Sequence, residues 1–157
     1  MTTAWAFDAI INLAREQNFS PLFHNVSFVG SEELARRLGP NGEGVIVTQV
    51  VPPPNAGNTT EPLPGVKEYM ALLNQYYPDS KPSFVGLEGY LNARILAEGL
   101  ERAGRDITRE KFINAIESIN HYDLGIQNSL TFGKNDYQGL DEVYYTMIKN
   151  GELVLIK

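Results

Sequence analysis

The stretch VIVTQVVPPP, Val45 to Pro54, constrains this chain more than any other. It begins as a strand, rich in β-branched residues, and runs into three consecutive prolines. Proline cannot donate to a β-ladder or continue a helix, so the chain leaves its sheet here in a stiff, extended form. Two outcomes fit. The segment is either an edge strand ending in a surface loop or a connector that carries the chain out of one structural unit into another. Beyond the prolines lies a polar stretch, Asn55 to Glu61, and regular structure resumes only near Pro64, which suits the first position of a helix.

The pattern on either side of the prolines differs. Before them, Phe7, Ile10, Ile11 and Ala14 recur at helical spacing over residues 4–17. Residues 22–29 have strong β character, and a second helix opens at Glu32 and Glu33 with Ser31 as its expected N-cap and Gly39 as its stop. After the prolines, Val66, Met70 and Leu73 mark one helix, and residues 87–103 a second, apolar on more than one side and expected to be largely buried. Thr108 is placed to cap a third, carrying Phe112, Ile113, Ile116 and Ile119. The tail then shifts to strand-like runs at 130–132, 143–148 and 153–156, with Asn150-Gly151 as a type I′ hairpin turn. The order is αβαβ, linker, three helices and a β tail, with few strands for so many apolar helices. The chain reads as a piece of something larger.

Composition narrows the chemistry. Of 157 residues, 43% are hydrophobic, enough for a true core, and no apolar run approaches the ~20 residues of a membrane span. Thirteen Lys and Arg against 19 Asp and Glu, a net charge of −6, argue against a nucleic-acid binder. The absence of cysteine excludes disulfides, thiolate metal sites and a cysteine nucleophile. His24 and His121 lie far apart and outside any metal-ligand spacing. The glycine-rich run at 39–44 lacks the Lys-Ser/Thr of a phosphate loop and leads into a strand, so it reads as a plain loop. No nucleophile elbow or dinucleotide fingerprint occurs, so no enzyme activity, cofactor or metal is expected.

Several stretches together resemble the C-terminal part of the periplasmic solute-binding proteins that serve branched-chain amino acid ABC transporters. They are Val26-Ser-Phe-Val-Gly-Ser-Glu32, Gly44 to Pro52, Ser83-Phe-Val-Gly-Leu-Glu-Gly-Tyr90, Asp123-Leu-Gly125, Phe132-Gly133 and the segment from Val143 to Ile148. The likeness covers essentially the whole chain but less than half of the family's length. It implies an α/β chain with a partial type I periplasmic-binding-protein fold: a parallel, doubly wound sheet of one lobe, helices of the second lobe, and a C-terminal β-hairpin. The implied divisions are 1–51 for the αβαβ segment, 52–63 for a hinge crossing and linker, 64–122 for helices of the other lobe, and 123–157 for the β tail near the hinge. VIVTQVVPPP becomes one of the hinge crossings, and the N-terminal lobe is missing.

The resemblance also implies a function. The parent would bind an amino acid or a related small polar or aromatic acid in a periplasmic or other extracytoplasmic setting, and deliver it to an ABC transporter permease. This chain shows no signal peptide of its own, and as an isolated piece it would form a homo-oligomer. A ligand-sensing domain of a receptor with the same fold is the alternative. In the family, an acid just after the strand ending in Phe-x-Gly meets the solute's ammonium group. By position it is Glu32, with Ser31 beside it, although Glu33 stands where the family often has glycine. A carboxylate at a strand's C-terminal end is well placed for this, because open α/β sheets bind ligands there and a buried ammonium needs a counter-charge. The alternative reading of Glu32 and Glu33 is as first-turn helix acids. Tyr90 is a candidate wall aromatic whose alternative, favoured reading is packing within a buried helix, Glu88 a structural hydrogen-bond partner, and Asp123, Asp141 and Glu142 solvated loop acids.

Overall fold

The computed structural model describes residues 4–54 and 61–156. They form two compact units: one from residues 4–54, 61, 83–85 and 143–156, the other from 62–82 and 86–142.

In the first unit, α1 (Ala4–Glu16), β1 (His24–Val26), α2 (Ser31–Leu38) and β2 (Ile46–Gln49) precede the prolines, and the hairpin β5–β6 (Tyr144–Lys149, Glu152–Leu155) returns from the chain's end. The four strands make one mixed sheet, ordered β1-β2-β5-β6. β1 and β2 are parallel, with Asn25 opposite Val47, whereas β2 pairs antiparallel with β5, Val47 lying opposite Thr146. The C-terminal hairpin is therefore part of this sheet, and its turn has Asn150 and Gly151 both in the left-handed region, at φ 52° and 80°. β1 is shorter than the β character of 22–29 suggests. Residues Ser27–Val29 wind into a 3₁₀ turn, and Gly30 at φ 76° redirects the chain into α2.

Alternation explains the packing. Val45 and Val47 point to the face that α1 and α2 cover, where Ile11, Leu34, Ala35 and Leu38 meet them together with Val29 and Ile148. Leu34 and Leu38, one turn apart, form the α2 stripe, as the sequence indicates. A salt bridge from Arg37 to the nearly buried Asp8 ties α2 to α1. Beyond Gln49 the chain leaves the sheet, with Val51, Pro52 and Pro54 buried. The rest of the expected linker lies partly outside the described residues, which resume at Glu61.

The second unit contains α3 (Pro64–Tyr76), all but the first two residues of α4 (Phe84–Ala103), α5 (Arg109–Glu117) and a short antiparallel pair, β3 (Tyr122–Asp123) and β4 (Ser129–Leu130). Pro64 opens α3, and Thr108 caps α5 by accepting the Lys111 N–H at 3.2 Å. Its core gathers Val66, Leu87, Leu91, Ile119, Leu124 and Ile126. One expectation fails. α4 is not buried all round: Leu87 and Leu91 are inside, but Leu96 and Leu100, on another face, remain 51% and 45% exposed.

Two glycines set how closely this unit can pack. Gly65 donates its N–H to Gly125 O at 2.8 Å, and a Cβ on Gly65 would lie 2.2 Å from Leu124 O. A Cβ on Gly99 of α4 would lie 2.4 Å from the Ile116 side chain of α5. Backbone approach at the first contact requires the missing side chain, whereas at the second the Ile116 side chain would have to shift to admit one.

Candidate functional site

Glu32 and Ser31 open α2 in the first unit, and Tyr90 belongs to the second. Ser31 does not cap its own helix. Gly30 occupies the N-cap position, which has no side-chain cap, and Ser31 is the first helical residue, fully buried. Its hydroxyl turns inward because Gln49 reaches it from β2: Gln49 Nε2 donates to Ser31 Oγ at 2.8 Å and to Thr146 Oγ1 at 3.3 Å. The Thr146 hydroxyl in turn donates to Val47 O at 2.8 Å. This buried chain of hydrogen bonds joins α2, β2 and β5, and satisfies the groups it buries. Gln49 could have been singled out from sequence, since it shares the inward face of Val45 and Val47 and is polar.

The next two residues diverge. The Glu33 carboxylate stays on its own helix and takes two hydrogen bonds from Arg36, at 2.6 and 2.7 Å. That hydrogen bond holds its carboxyl below the usual glutamate range; burial opposes it, and the charges of Arg36 and Arg37 add smaller effects in the lowering direction. Glu33 is thus a first-turn acid paired within its own helix. Glu32, also in the first turn of α2, pairs outside it: its Oε1 accepts the backbone N–H of Phe84 at 2.7 Å, 52 residues away. Phe84 is the first residue of α4, and that helix has no acid in its own first turn. Glu32 therefore supplies, from another element, an acidic acceptor for the first N–H of a 20-residue helix whose own first turn holds no acid.

Tyr90 sits among polar and aromatic neighbours. Its ring centroid is 5.7 Å from that of Tyr69, and the Arg94 guanidinium lies 6.0 Å from its ring while donating to Glu68 at 2.9 Å. Its hydroxyl is sealed from solvent without a well-formed hydrogen bond among the described residues. Burial, then the nearby Glu68 carboxylate, keeps that phenol above its ordinary range, so it is a neutral donor. Asp123 accepts the Gly125 N–H at 2.7 Å and shapes a turn, while Glu142 accepts from Asn128 at 2.7 Å. Asn128 and Glu142, with Ser129, Gly139, Leu140 and Asp141, line a shallow cavity of about 290 Å³ that none of the predicted site residues reaches. Among the described residues, no cluster of three or more His, Cys, Asp or Glu side chains could hold a metal, and no helix is long and apolar enough to cross a membrane.

The chain as a whole is similar to known proteins. The periplasmic binding protein family matches residues 2–152, and the chain belongs to that family. Among solved structures it is similar to a possible leucine/isoleucine/valine-binding protein from Rhodopirellula baltica, at 35% identity and a TM-score of 0.87 over 96% of this chain and 39% of that one. A leucine-binding protein from Thermotoga maritima is 20% identical with a TM-score of 0.79, over 99% of this chain and 42% of its own. A branched-chain amino acid ABC transporter protein from Thermus thermophilus, solved with bound valine, is 20% identical with a TM-score of 0.71, over 96% of this chain and 42% of its own. The last two likenesses speak for the fold alone. This chain spans about 40% of the length of these relatives, 39% of the first and 42% of the other two. No curated protein matches it.

Proposed function

We propose that this chain forms part of an extracytoplasmic solute-binding protein for an ABC transporter, and that its solute is an amino acid or a related small polar or aromatic acid. Membership of the periplasmic binding protein family, together with the 35% identity to a possible leucine/isoleucine/valine-binding protein, supports this reading. Glu32 is the residue we assign to the solute's cation. It is half-buried, one of its oxygens is committed to Phe84, and the other accepts no hydrogen bond among the described residues. Ser31 supports it from beneath through the Gln49 network, and Tyr90 serves as an aromatic wall residue. The permease is the partner of the longer protein, and residues outside this chain complete the site.

The chain alone should therefore bind weakly. A micromolar site would add about 4 kcal/mol of stability at millimolar solute, a large melting shift, and none of that size is expected. Instead, NMR titration with valine or leucine should move the amide signals of residues 31–33, with a dissociation constant in the millimolar range or weaker. Glu32→Gln should remove the response. Micromolar binding by the chain alone would show the site to be complete, and saturating solute without any change at 31–33 would remove Glu32 from the site. The isolated chain should also self-associate. No strand pairs with the outer edge of β1 among the described residues, and Leu22, Val26 and Phe28 around it are 73%, 43% and 72% exposed. Light scattering that finds a monomer at all concentrations would refute this.

A further inference from the structure

We infer that Glu32 links solute binding to the order of the first turn of α4, because one carboxylate serves both. This rests on the solute-binding reading above and adds a second duty to the same side chain. The observation that carries it is the 2.7 Å hydrogen bond from Phe84 N to Glu32 Oε1, made across 52 residues of sequence inside the first unit. The base of Glu32 is rigid: Ser31, its neighbour, is fully buried and held by Gln49, which is itself fixed to Thr146. What remains free to move is the glutamate side chain, whose rotamers cost free energy to restrict.

The bond to Phe84 restricts those rotamers before any solute arrives. An ammonium group meeting the second oxygen then finds the carboxylate already oriented, and its binding in turn holds Oε1 on the Phe84 amide. Linkage is reciprocal, so the cap favours the cation and the cation favours the cap. The sign follows from geometry: a carboxylate has two oxygens with several lone pairs, so the two partners share it without competing. Phe84 is a suitable reporter. It is 5% exposed, its amide is the first of α4, and that helix has no acid of its own in the first turn. Removal of Glu32 therefore leaves this amide without its charged acceptor.

Amide hydrogen exchange at Phe84, read by NMR in the same samples as a valine titration, tests the linkage. Without solute, Glu32→Ala should lower protection at Phe84 by about fivefold, the equivalent of a lost helix cap. Glu32→Gln keeps an acceptor oxygen and should stay near the parent value. Valine should then raise Phe84 protection in the parent chain, in step with the shift changes at residues 31–33, and should do neither in Glu32→Gln. If valine moves the signals at 31–33 while Phe84 exchange stays constant or quickens, the linkage is wrong and the binding reading stands. If valine moves nothing while Glu32→Ala still exposes Phe84, the binding reading fails and the linkage falls with it. If Glu32→Ala leaves Phe84 protection unchanged, the hydrogen bond does not hold α4 and the linkage is refuted directly.

Discussion

The two units of this chain are held by different physics. In the first, distant segments meet: the C-terminal hairpin completes a sheet begun before the prolines, and a buried polar chain runs from Ser31 through Gln49 to Thr146. In the second, contacts arise from helices and a two-residue strand pair, and the tightest are set by glycines that allow backbone or helix to approach. The first unit's weak point is therefore an unsatisfied polar group, and the second's is an added atom. Each class of fault can be introduced separately.

The largest effect is expected from Gly65→Ala. The new Cβ would lie 2.2 Å from Leu124 O, and backbone on the facing segment cannot move aside as a flexible side chain would. The Gly65 N–H bond to Gly125 O would be strained with it. A loss of about 3 kcal/mol is expected, at the upper end of ordinary overpacking. Urea denaturation measures it, and hydrogen exchange should locate the loss in the second unit. A stability equal to the parent's would mean that Gly65 and Gly125 are not in such close contact.

Gln49→Leu should come next, at about 2 kcal/mol, because it removes the donor to two hydroxyls while keeping an apolar volume on the inward face. Ser31 and Thr146, 0% and 1% exposed, have no water to turn to. The double change Gln49→Leu with Ser31→Ala should recover part of that loss, since a deleted hydroxyl needs no partner. If the double variant is no more stable than the single one, the Gln49–Ser31 contact contributes little.

These two sites also mark what the sequence could and could not disclose. Features set by a few adjacent residues are legible: the Asn150-Gly151 turn, the Thr108 cap and Pro64 at the head of α3 all follow from local backbone chemistry. So is the order of elements, with the family likeness supplying the architecture that local patterns leave open. Ser31 shows the limit. A serine before two acids looks like an N-cap, yet Gln49 from a distant strand wins its hydroxyl, and Gly30 takes the cap position. Glu32 shows the same from the other side. Its position after β1 marks it as a candidate, but its partner is a backbone N–H, which has no identity in sequence. The buried face of α4 is narrower than its apolar positions imply, because Leu96 and Leu100 look like core residues in sequence yet stay half-exposed. Helical geometry places them away from Leu87 and Leu91.

A smaller effect separates local from long-range stabilisation in the second unit. Thr108→Ala deletes only the acceptor for the Lys111 N–H and should cost about 1 kcal/mol. Thr108→Ser should restore most of it. Faster exchange is expected at the start of α5 and little change at Gly65 or Gly125. Equal stability of the alanine and serine variants would show that solvent replaces the threonine oxygen without loss.

The smallest effect returns to the neighbouring acids of α2 and asks whether they differ as their partners do. Glu33 is an exposed carboxylate whose folded pKa lies below its ordinary value of 4.5, chiefly through the Arg36 hydrogen bond. A group with a lowered folded pKa contributes stability that is fully present above its unfolded value and is lost as pH falls through the folded one. Thermal melts of the parent and of Glu33→Gln should therefore differ slightly at neutral pH and converge on acidification below about pH 4.5. High salt should also shrink the difference, because the pair lies in water. Glu32 should respond less, since its partner is a neutral amide in a partly buried place, where salt screens the carboxylate's attraction to the helix end only weakly. The Phe84 exchange that reports the Glu32 bond should be nearly indifferent to salt at constant pH, while the small Glu33 contribution fades. If salt erased both alike, the two acids would be equivalent surface charges, and the distinction between the cap of α4 and the ion pair of α2 would be lost.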